Sequence, residues 1–371
     1  MKIERVDLIH VKIPLVHHFE TSYGRRFHVD KVIMKVHTAD LTAFSELVAD
    51  LDLGYAYETI DTSRTVLANH ILPRILGQEI DGPEGYWAKV GSLTGHPMAK
   101  AGLDNAVWIL KGLEEGKSLA QLTGGTMDKI VSGGVSVGIQ DSVEDFMAIV
   151  EERIGRGAHR IKLKIKPGWD VGPLEAFRNK WPDMDLSVDA NNCYDYYEHH
   201  DFLTGIDKYG LIMFEQPMSS ADLFYHSKLQ AEIETPICLD ESIHSPFNAK
   251  TAVEMKAGKI INIKQARCGG LTPARQVHDI AQAAGITCWC GGMIETGIGM
   301  TVNTAVSSWP DMVYPNAVYS NANFLVEDII DPITAVDGQG MVAVPTAPGL
   351  GVEVDLKALD KYTVWTEVFR A

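Results

Sequence analysis

The chain reads as an α/β protein, a TIM-like (β/α) barrel with an α+β N-terminal capping domain that the C-terminal tail completes. Three observations lead there. From about residue 127 onward one unit recurs: a short β-rich run ending in a polar residue, an amphipathic helix, then a glycine and the next run. The runs are Val131–Ile139, Arg160–Ile165, Asp185–Asp189, Leu211–Glu215, Pro236–Asp240, Ile260–Lys264, Ile286–Gly291 and Met312–Tyr314. The polar ends Lys164, Asp189, Glu215, Asp240 and Lys264 follow one another at intervals of 24 to 26 residues, the length of a strand, a helix and two loops. Eight such units fit a closed parallel barrel better than an open sheet.

The elements follow in order. Residues 1–126 begin with strand-like runs, Ile3–Val11 and Lys31–Val36, and pass into helical stretches at Ile60–Leu76 and Pro97–Gly112, which predicts a separate α+β domain. Residues 127–325 supply the barrel. Residues 326–371 contain no further barrel unit and are expected to return to the N-terminal domain. Inside the barrel, Thr272-Pro273 predicts an N-cap with proline at the first helical position. Ala274, Val277, Ile280, Ala281 and Ala284 then form one apolar stripe, and Gly285 ends the helix. Ser245-Pro246 predicts another start, with Gly258 as its stop.

Bulk composition narrows the function. At 371 residues, 46% apolar and 22% charged, the chain has the make-up of an ordinary globular enzyme. A formal charge of −16 argues against nucleic acid, whose phosphates need a basic face. The start, Met1-Lys2-Ile3-Glu4-Arg5, lacks the apolar core of a signal peptide, and no run approaches the ~18 apolar residues of a membrane span. The cysteines, Cys193, Cys238, Cys268, Cys288 and Cys290, are odd in number and lack paired zinc spacing, so a cytoplasmic setting is expected. Cys288-Trp289-Cys290 reads as alternate faces of a buried strand rather than as a ligand pair.

Strand side chains alternate between faces. In Ile161-Lys162-Leu163-Lys164-Ile165 the aliphatic residues share one face and the lysines the other. Leu186 and Val188 oppose Ser187 and Asp189; Ile212 and Phe214 oppose Glu215; Ile237 and Leu239 oppose Asp240; Ile261 and Ile263 oppose Asn262 and Lys264. The aliphatic faces should meet the outer helices. The last polar residue of each strand should then stand at the C-terminal rim, where barrels build their sites. Burying these charges without partners is costly, and a cation among the carboxylates is the simplest offset. Asp189, Glu215 and Asp240 fall on neighbouring strands three, four and five. An all-oxygen set without His or Cys suits Mg²⁺, with Mn²⁺ as a second option. Lys164 and Lys264 fall on strands two and six, across the ring. A cation-held carboxylate acidifies its α-carbon by stabilising an enediolate, and two opposed lysines could take a proton from one face and return it to the other. The competing explanation is a buried ion-pair network without catalysis. Lys162 reads equally as a supporting or a direct participant, and Asn191 as a ligand contact or a loop former.

These segments together resemble the enolase superfamily, in its muconate-cycloisomerase-like branch, and within it the o-succinylbenzoate synthase/N-succinylamino acid (N-acylamino acid) racemase family. The resemblance is carried by Arg160-Ile-Lys-Leu-Lys-Ile-Lys-Pro-Gly-Trp-Asp170, Val188-Asp-Ala-Asn191, Phe214-Glu-Gln-Pro217, Pro236-Ile-Cys-Leu-Asp-Glu-Ser242, Asn262-Ile-Lys264, Arg267-Cys-Gly-Gly270 and Trp289-Cys-Gly-Gly-Met-Ile-Glu295. A weaker match runs through Phe19-Glu-Thr-Ser-Tyr-Gly24. The resemblance implies Mg²⁺ on Asp189, Glu215 and Asp240, with Lys164 as one acid/base and Lys264 as the other base or a fixed cation. It implies substrate-binding or supporting places for Lys162, Asn191, Ser136, Tyr23, Tyr55, Arg267, Gly292, Met293 and Glu295. Loops near Thr21–Gly24 and Asp50–Tyr57 would close over a small carboxylate substrate, and a homo-oligomer is expected. The implied reaction is dehydration to o-succinylbenzoate, racemisation of an N-succinylamino acid, or both. A muconate-cycloisomerase-like enzyme is the alternative, and a non-catalytic barrel ranks last. The chain departs from the family pattern at Met300, at Pro315-Asn-Ala-Val-Tyr319, at Ala43-Phe-Ser-Glu46 and at Ile109, none of them in the carboxylate–lysine set.

Overall fold

The computed structural model describes residues 1–131 and 134–371. Two sheets organise it. The first is antiparallel, in the order Thr363–Arg370, Arg5–Thr21, Gly24–His37, Thr42–Leu47. The last strand of the chain therefore lies beside the first, with Arg5 opposite Arg370 and Leu8 opposite Glu367. The second sheet is parallel and its strands stand in chain order: Gly134–Val137, Arg160–Lys164, Asp185–Asp189, Met213–Glu215, Ile237–Leu239, Ile260–Ile263 and Thr287–Cys290. Parallel neighbours need long crossovers, and helices such as Val143–Gly155, Val171–Lys180 and Leu271–Ala283 supply them. All five residues of Arg160–Lys164 are buried, as befits a strand covered by helices on one side and by the barrel interior on the other.

Seven of the eight expected runs contribute a strand. Positions 132 and 133 of the run Val131–Ile139 lie outside the described residues. The eighth, Met312–Tyr314, forms no strand. Asp311 takes a left-handed backbone, with φ of 60°, and Pro315 has no N–H to give a ladder. The next residues bond to the curled sheet in other ways. Ala317 N donates to Cys290 O at 2.9 Å, the Asn316 amide oxygen accepts from Cys290 N at 2.7 Å, and Arg160 Nη2 donates to Pro315 O at 2.7 Å.

Register decides the chemistry of the rim. Lys164 stands opposite Asp189, and Asp189 opposite Glu215, so three charged residues of adjacent strands share one layer. Lys162 and Ser187 form a layer below. Asp240 and Lys264 follow the last residues of their strands, at the same C-terminal end.

The helix starts were only partly predictable. Ser245 caps its helix by accepting from Asn248 N, with Pro246 in the first turn. That helix ends through Lys256, at φ of 54°, and not through Gly258. Gly258 is small for another reason, since a Cβ there would come within 2.8 Å of Ile237 O. The expected N-cap at Thr272 is also corrected. The helix starts at Leu271, one residue before Thr272, and its cap comes from elsewhere in the chain. Asp104, on the long helix Pro97–Glu115 of the N-terminal part, accepts from Thr272 N at 2.9 Å and from Thr272 Oγ1 at 2.7 Å. Asn105 Oδ1 accepts from Leu271 N at 3.1 Å. Helix Gly297–Ser307 is treated the same way. Glu46, on strand Thr42–Leu47, accepts from Gly299 N at 3.0 Å and from Thr296 Oγ1 at 2.5 Å, while Asp328 accepts from Gly297 N at 2.8 Å. Orphan amides at a helix start attract carboxylates, so these two barrel helices hold the antiparallel sheet and its helix in place. Burial pushes the Asp104 carboxyl up to about 7 and the Glu46 carboxyl up to about 8, against the donors that favour their charged forms. Asp104→Ala should cost about 1–3 kcal/mol in urea unfolding, because it leaves buried donors unpaired. An unchanged midpoint would show that this contact does not secure the two parts.

Candidate active site

The barrel mouth concentrates buried charge. Asp189, Glu215 and Asp240 are fully buried, and one carboxylate oxygen from each lies within 4.8 Å of the others. Lys164 Nζ donates to Asp189 Oδ2 at 2.6 Å and to Asn191 Oδ1 at 2.8 Å. Lys162 Nζ donates to Asp189 Oδ2 and to both oxygens of Glu215, each at 3.0 Å, and sits 5.1 Å from the centre of the Trp289 ring. Lys264 Nζ donates to Asp240 Oδ2 at 2.7 Å and to the Tyr55 hydroxyl at 3.1 Å. Arg267 pairs with Asp240 Oδ1, and its Nη1 also donates to the Tyr55 hydroxyl at 3.0 Å.

A fourth carboxyl group, Glu241, is enclosed here. Its Oε1 accepts from Asn191 Nδ2 at 2.8 Å, while its Oε2 has no partner. Burial, helped by the nearby charge of Asp189, pushes it up to about 7. Burial alone would also raise Asp189, but Lys164 and Lys162 outweigh it and hold Asp189 far below the usual carboxylate range. The two opposed lysines differ. Burial lowers Lys164 despite Asp189. Burial also acts to lower Lys264, but Tyr55 and the carboxylates Glu241, Glu215 and Asp189 overcome it, and its net shift is upward.

Local backbone fixes these positions. Asn191, Gln216 and Ile294 are non-glycine residues with φ of 44°, 35° and 54° at the mouth of the barrel. Such backbone is disfavoured, most of all for a β-branched residue, and persists only where surroundings enforce it. Gln216 shows how: its Oε1 accepts from Asp240 N at 2.9 Å and Ser242 N at 3.2 Å, which aims the Asp240 turn. The loops above are held too. Glu20 O accepts from Ile139 N at 3.0 Å, and Ser22 Oγ donates to Asn191 O at 3.1 Å. A Cβ on Gly54 would come within 2.5 Å of the Tyr23 ring, so the two loops meet closely.

Three buried carboxylates with no His or Cys among them form a hard donor set, and the 4.8 Å spread is one that a single cation bridges through contacts of about 2.0–2.6 Å. The residues present fit a divalent metal ion. Residues 145–358 match the family described as Enolase C-terminal domain-like. The chain belongs to the enolase superfamily. It is 37% identical over 370 residues to an o-succinylbenzoate synthase of Geobacillus stearothermophilus, covering 100% of this chain and 98% of the relative. It is 37% identical over 372 residues to an N-succinylamino acid racemase of Thermus thermophilus, covering 100% of each. A crystal structure of an enolase-superfamily member from Listeria innocua superposes with a TM-score of 0.94 at 34% identity, covering 100% of this chain and 99% of that one. These relatives are enzymes, and the chain is an enzyme of the same superfamily. No helix among the described residues is long and apolar enough to cross a membrane.

One cavity gathers most of the expected residues of this superfamily member. Tyr23, Tyr55, Ser136, Lys162, Lys164, Asn191, Lys264, Gly292 and Met293 all line it. Arg267 and Glu295 do not, and neither do Asp189, Glu215 and Asp240, which meet the cavity only through their hydrogen bonds to Lys162, Lys164 and Lys264. Arg267 stands behind Tyr55 and Asp240, while Glu295 Oε2 accepts from Met293 N at 2.8 Å and so shapes the wall. Sequence reasoning missed Arg26, Ile294, Phe324 and Glu241, and it placed Asp50 only as the start of a closing loop. Glu241 could have been found, since it follows Asp240 directly; strand alternation assigns it to the opposite face, but the chain has left the strand by then. Arg26 carries no local signal. Met300 is fully buried, and Tyr319, in the departing eighth segment, lines the cavity.

Divalent metal binding should depend on each carboxylate. With Mn²⁺ binding followed by electron paramagnetic resonance, Asp189→Asn, Glu215→Gln and Asp240→Asn should each weaken affinity by more than the ~10–100-fold that loss of a ligand's outer partner costs. Wild-type affinity in any of the three would remove that residue from the metal set.

Proposed function

We propose that this enzyme abstracts the proton α to a carboxylate with Mg²⁺ bound at Asp189, Glu215 and Asp240, and that it acts as an o-succinylbenzoate synthase, an N-succinylamino acid racemase, or both. The observation that carries this is the placement of Lys164 and Lys264. Both line one cavity, their strands stand four steps apart in the sheet order, and the carboxylate trio lies between them. The names of the full-length relatives support the substrate class.

Mg²⁺ would offset the negative charge that builds on the substrate carboxylate as the α-proton leaves. The protein's own groups do the rest. Lys164, held by Asp189 and Asn191, presents an amine on one side of the substrate and takes the α-proton. Lys264, held by Asp240 and Tyr55, faces the other side. It returns a proton in racemisation, or steadies the enediolate as a cation in dehydration. Lys162 is spent on three carboxylate oxygens and over Trp289, so its role is to hold Asp189 and Glu215 in place. The loops around Tyr23 and Tyr55 exclude water from above. Residues 1–126 and 326–371 form the capping unit in this reading, and residues 127–325 the catalytic one.

Proton NMR in D₂O with Mg²⁺ and N-succinylamino acids tests the reading. Loss of the α-proton signal with both enantiomers accumulating is the expected result, and absence of exchange together with absence of dehydration activity would overturn it. Lys264→Arg separates the two roles of that residue. The variant should lose racemisation by about 10²-fold or more, as loss of a general acid/base does, yet keep much of the dehydration. Equal loss of both would mean that Lys264 serves as a base in each.

A further inference from the structure

Arg26 is the third residue of strand Gly24–His37, and Asp50 follows strand Thr42–Leu47. Their side chains meet over the barrel: Arg26 Nη1 donates to Asp50 Oδ1 at 2.9 Å and Nη2 to Oδ2 at 3.0 Å. Both residues line the cavity that holds Lys162, Lys164 and Lys264, and both line a second, outer pocket between the loops. The pair is therefore the wall between the site and the outside.

The charge on this wall does not cancel. Lys31 is completely buried, and its Nζ donates to the same Asp50 Oδ1 at 3.1 Å and to Val48 O at 3.0 Å. Two cations share one carboxylate. Burial would raise Asp50, but Lys31 and Arg26 outweigh it and hold the group down at about 2, so it remains charged. Asp52 adds negative charge, but it lines only the outer pocket. Lys31 is enclosed and has spent its ammonium on Asp50 and Val48, whereas Arg26 keeps 24% of its side chain exposed. The surplus positive charge is thus presented by Arg26. On the floor, by contrast, Lys162, Lys164, Lys264 and Arg267 face Asp189, Glu215, Asp240 and Glu241, four groups against four. A divalent ion and the reacting carboxylate would add two positive charges and one negative there, so the reacting carboxylate finds its partner on the floor and Arg26 is left aside. Another part of the lining is aromatic: Phe324 lies 5.9 Å from Phe19 and 4.7 Å from Tyr319, ring centre to ring centre.

We propose that Arg26 is a specificity-determining residue that receives a second carboxylate at the far end of the substrate, so that the site selects carboxylates bearing a distal anionic group over uncharged analogues of the same shape. The inference rests on the reading above for the placement of the reacting carboxylate. Asp50 holds the guanidinium by its planar fork, and the remaining N–H groups give charge-assisted bonds to the distal carboxylate. Because Asp50 fixes the orientation beforehand, little ordering is left to be done on binding.

The test uses a matched pair, N-succinylphenylalanine and N-butanoylphenylalanine, which differ only in a terminal carboxylate against a methyl group. Affinities are measured by titration calorimetry on the full chain with Mg²⁺ at low salt. The wild type should prefer the succinyl compound by about tenfold or more, the size one charge-assisted bond supplies. Arg26→Met should bring the ratio of the two affinities toward one. Asp50→Asn should raise the ratio, because it leaves Arg26 and Lys31 uncompensated. A pair that acted only as a structural latch would shift the ratio the same way in both variants, or not at all, and either result overturns the proposal. So does a wild type that binds the two compounds equally or fails to bind the succinyl one. Exchange of the α-proton in D₂O is followed on the same samples. Selective binding that depends on Arg26 without exchange would sink the reaction assignment and leave the Arg26 site standing; exchange without selectivity would do the reverse.

Discussion

Everything at the barrel mouth depends on four carboxyl groups and four cationic side chains that are all buried together. Burying one of these groups alone would cost several kcal/mol, and the loss of a single partner from such a network is more damaging than its presence is stabilising. The layer is therefore satisfied as a whole. Lys162 bridges Asp189 and Glu215, Lys164 ties Asp189 to Asn191, and Lys264 and Arg267 share Asp240. Trp289 lies against Lys162 and Arg160 beneath, and its ring face suits the cations it cannot neutralise. Among the described residues here, one oxygen of Glu241 and the amide oxygen of Asn262, whose Nδ2 donates to Glu215, are left without a partner.

The same economy of charge joins the antiparallel sheet to the barrel. The helix start at Leu271 has no local side-chain cap, and the one at Gly297 has only Thr296, which accepts from Ile298 N and leaves other amides exposed. Asp104, Asn105 and Glu46 reach across to fill them. This coupling matters to catalysis because Glu46 and Asp50 lie at the end of one strand run and in the loop that follows it. The contact that docks strand Thr42–Leu47 on the barrel thus also sets where the Asp50–Tyr57 loop hangs over Lys264. Tyr55 completes the chain of contacts, since its hydroxyl touches Asp240, Lys264 and Arg267 together.

Much of the site could be read in the sequence because its residues sit on strands of period two and at repeat ends. Lys164, Asp189 and Glu215 fall in one register layer because each ends a run of the same phase, and no tertiary information was needed to place them. Where the chain leaves regular structure, that logic stops. Glu241 turns inward two residues after its strand ends. The run at Met312–Tyr314 has the residues of a strand but not its pairing, since Asp311 and Pro315 break the backbone at both sides. Thr272 has the chemistry of a cap and serves instead as a partner for one supplied from Asp104.

The sequence by itself determined the parallel barrel, the oxygen-only carboxylate trio and the two opposed lysines, because alternation and a repeat of near-constant length are local properties that survive any packing. The tertiary structure alone decided what surrounds them. Arg26, on a strand, and Asp50, in the loop after another, stand 24 positions apart, and Tyr55 and Lys264 are 209 apart; only folding brings them within hydrogen-bond reach. Contacts between distant segments leave no period in the chain. They arise where buried donors and acceptors must be paired, and that requirement can be met by any residue the fold happens to deliver.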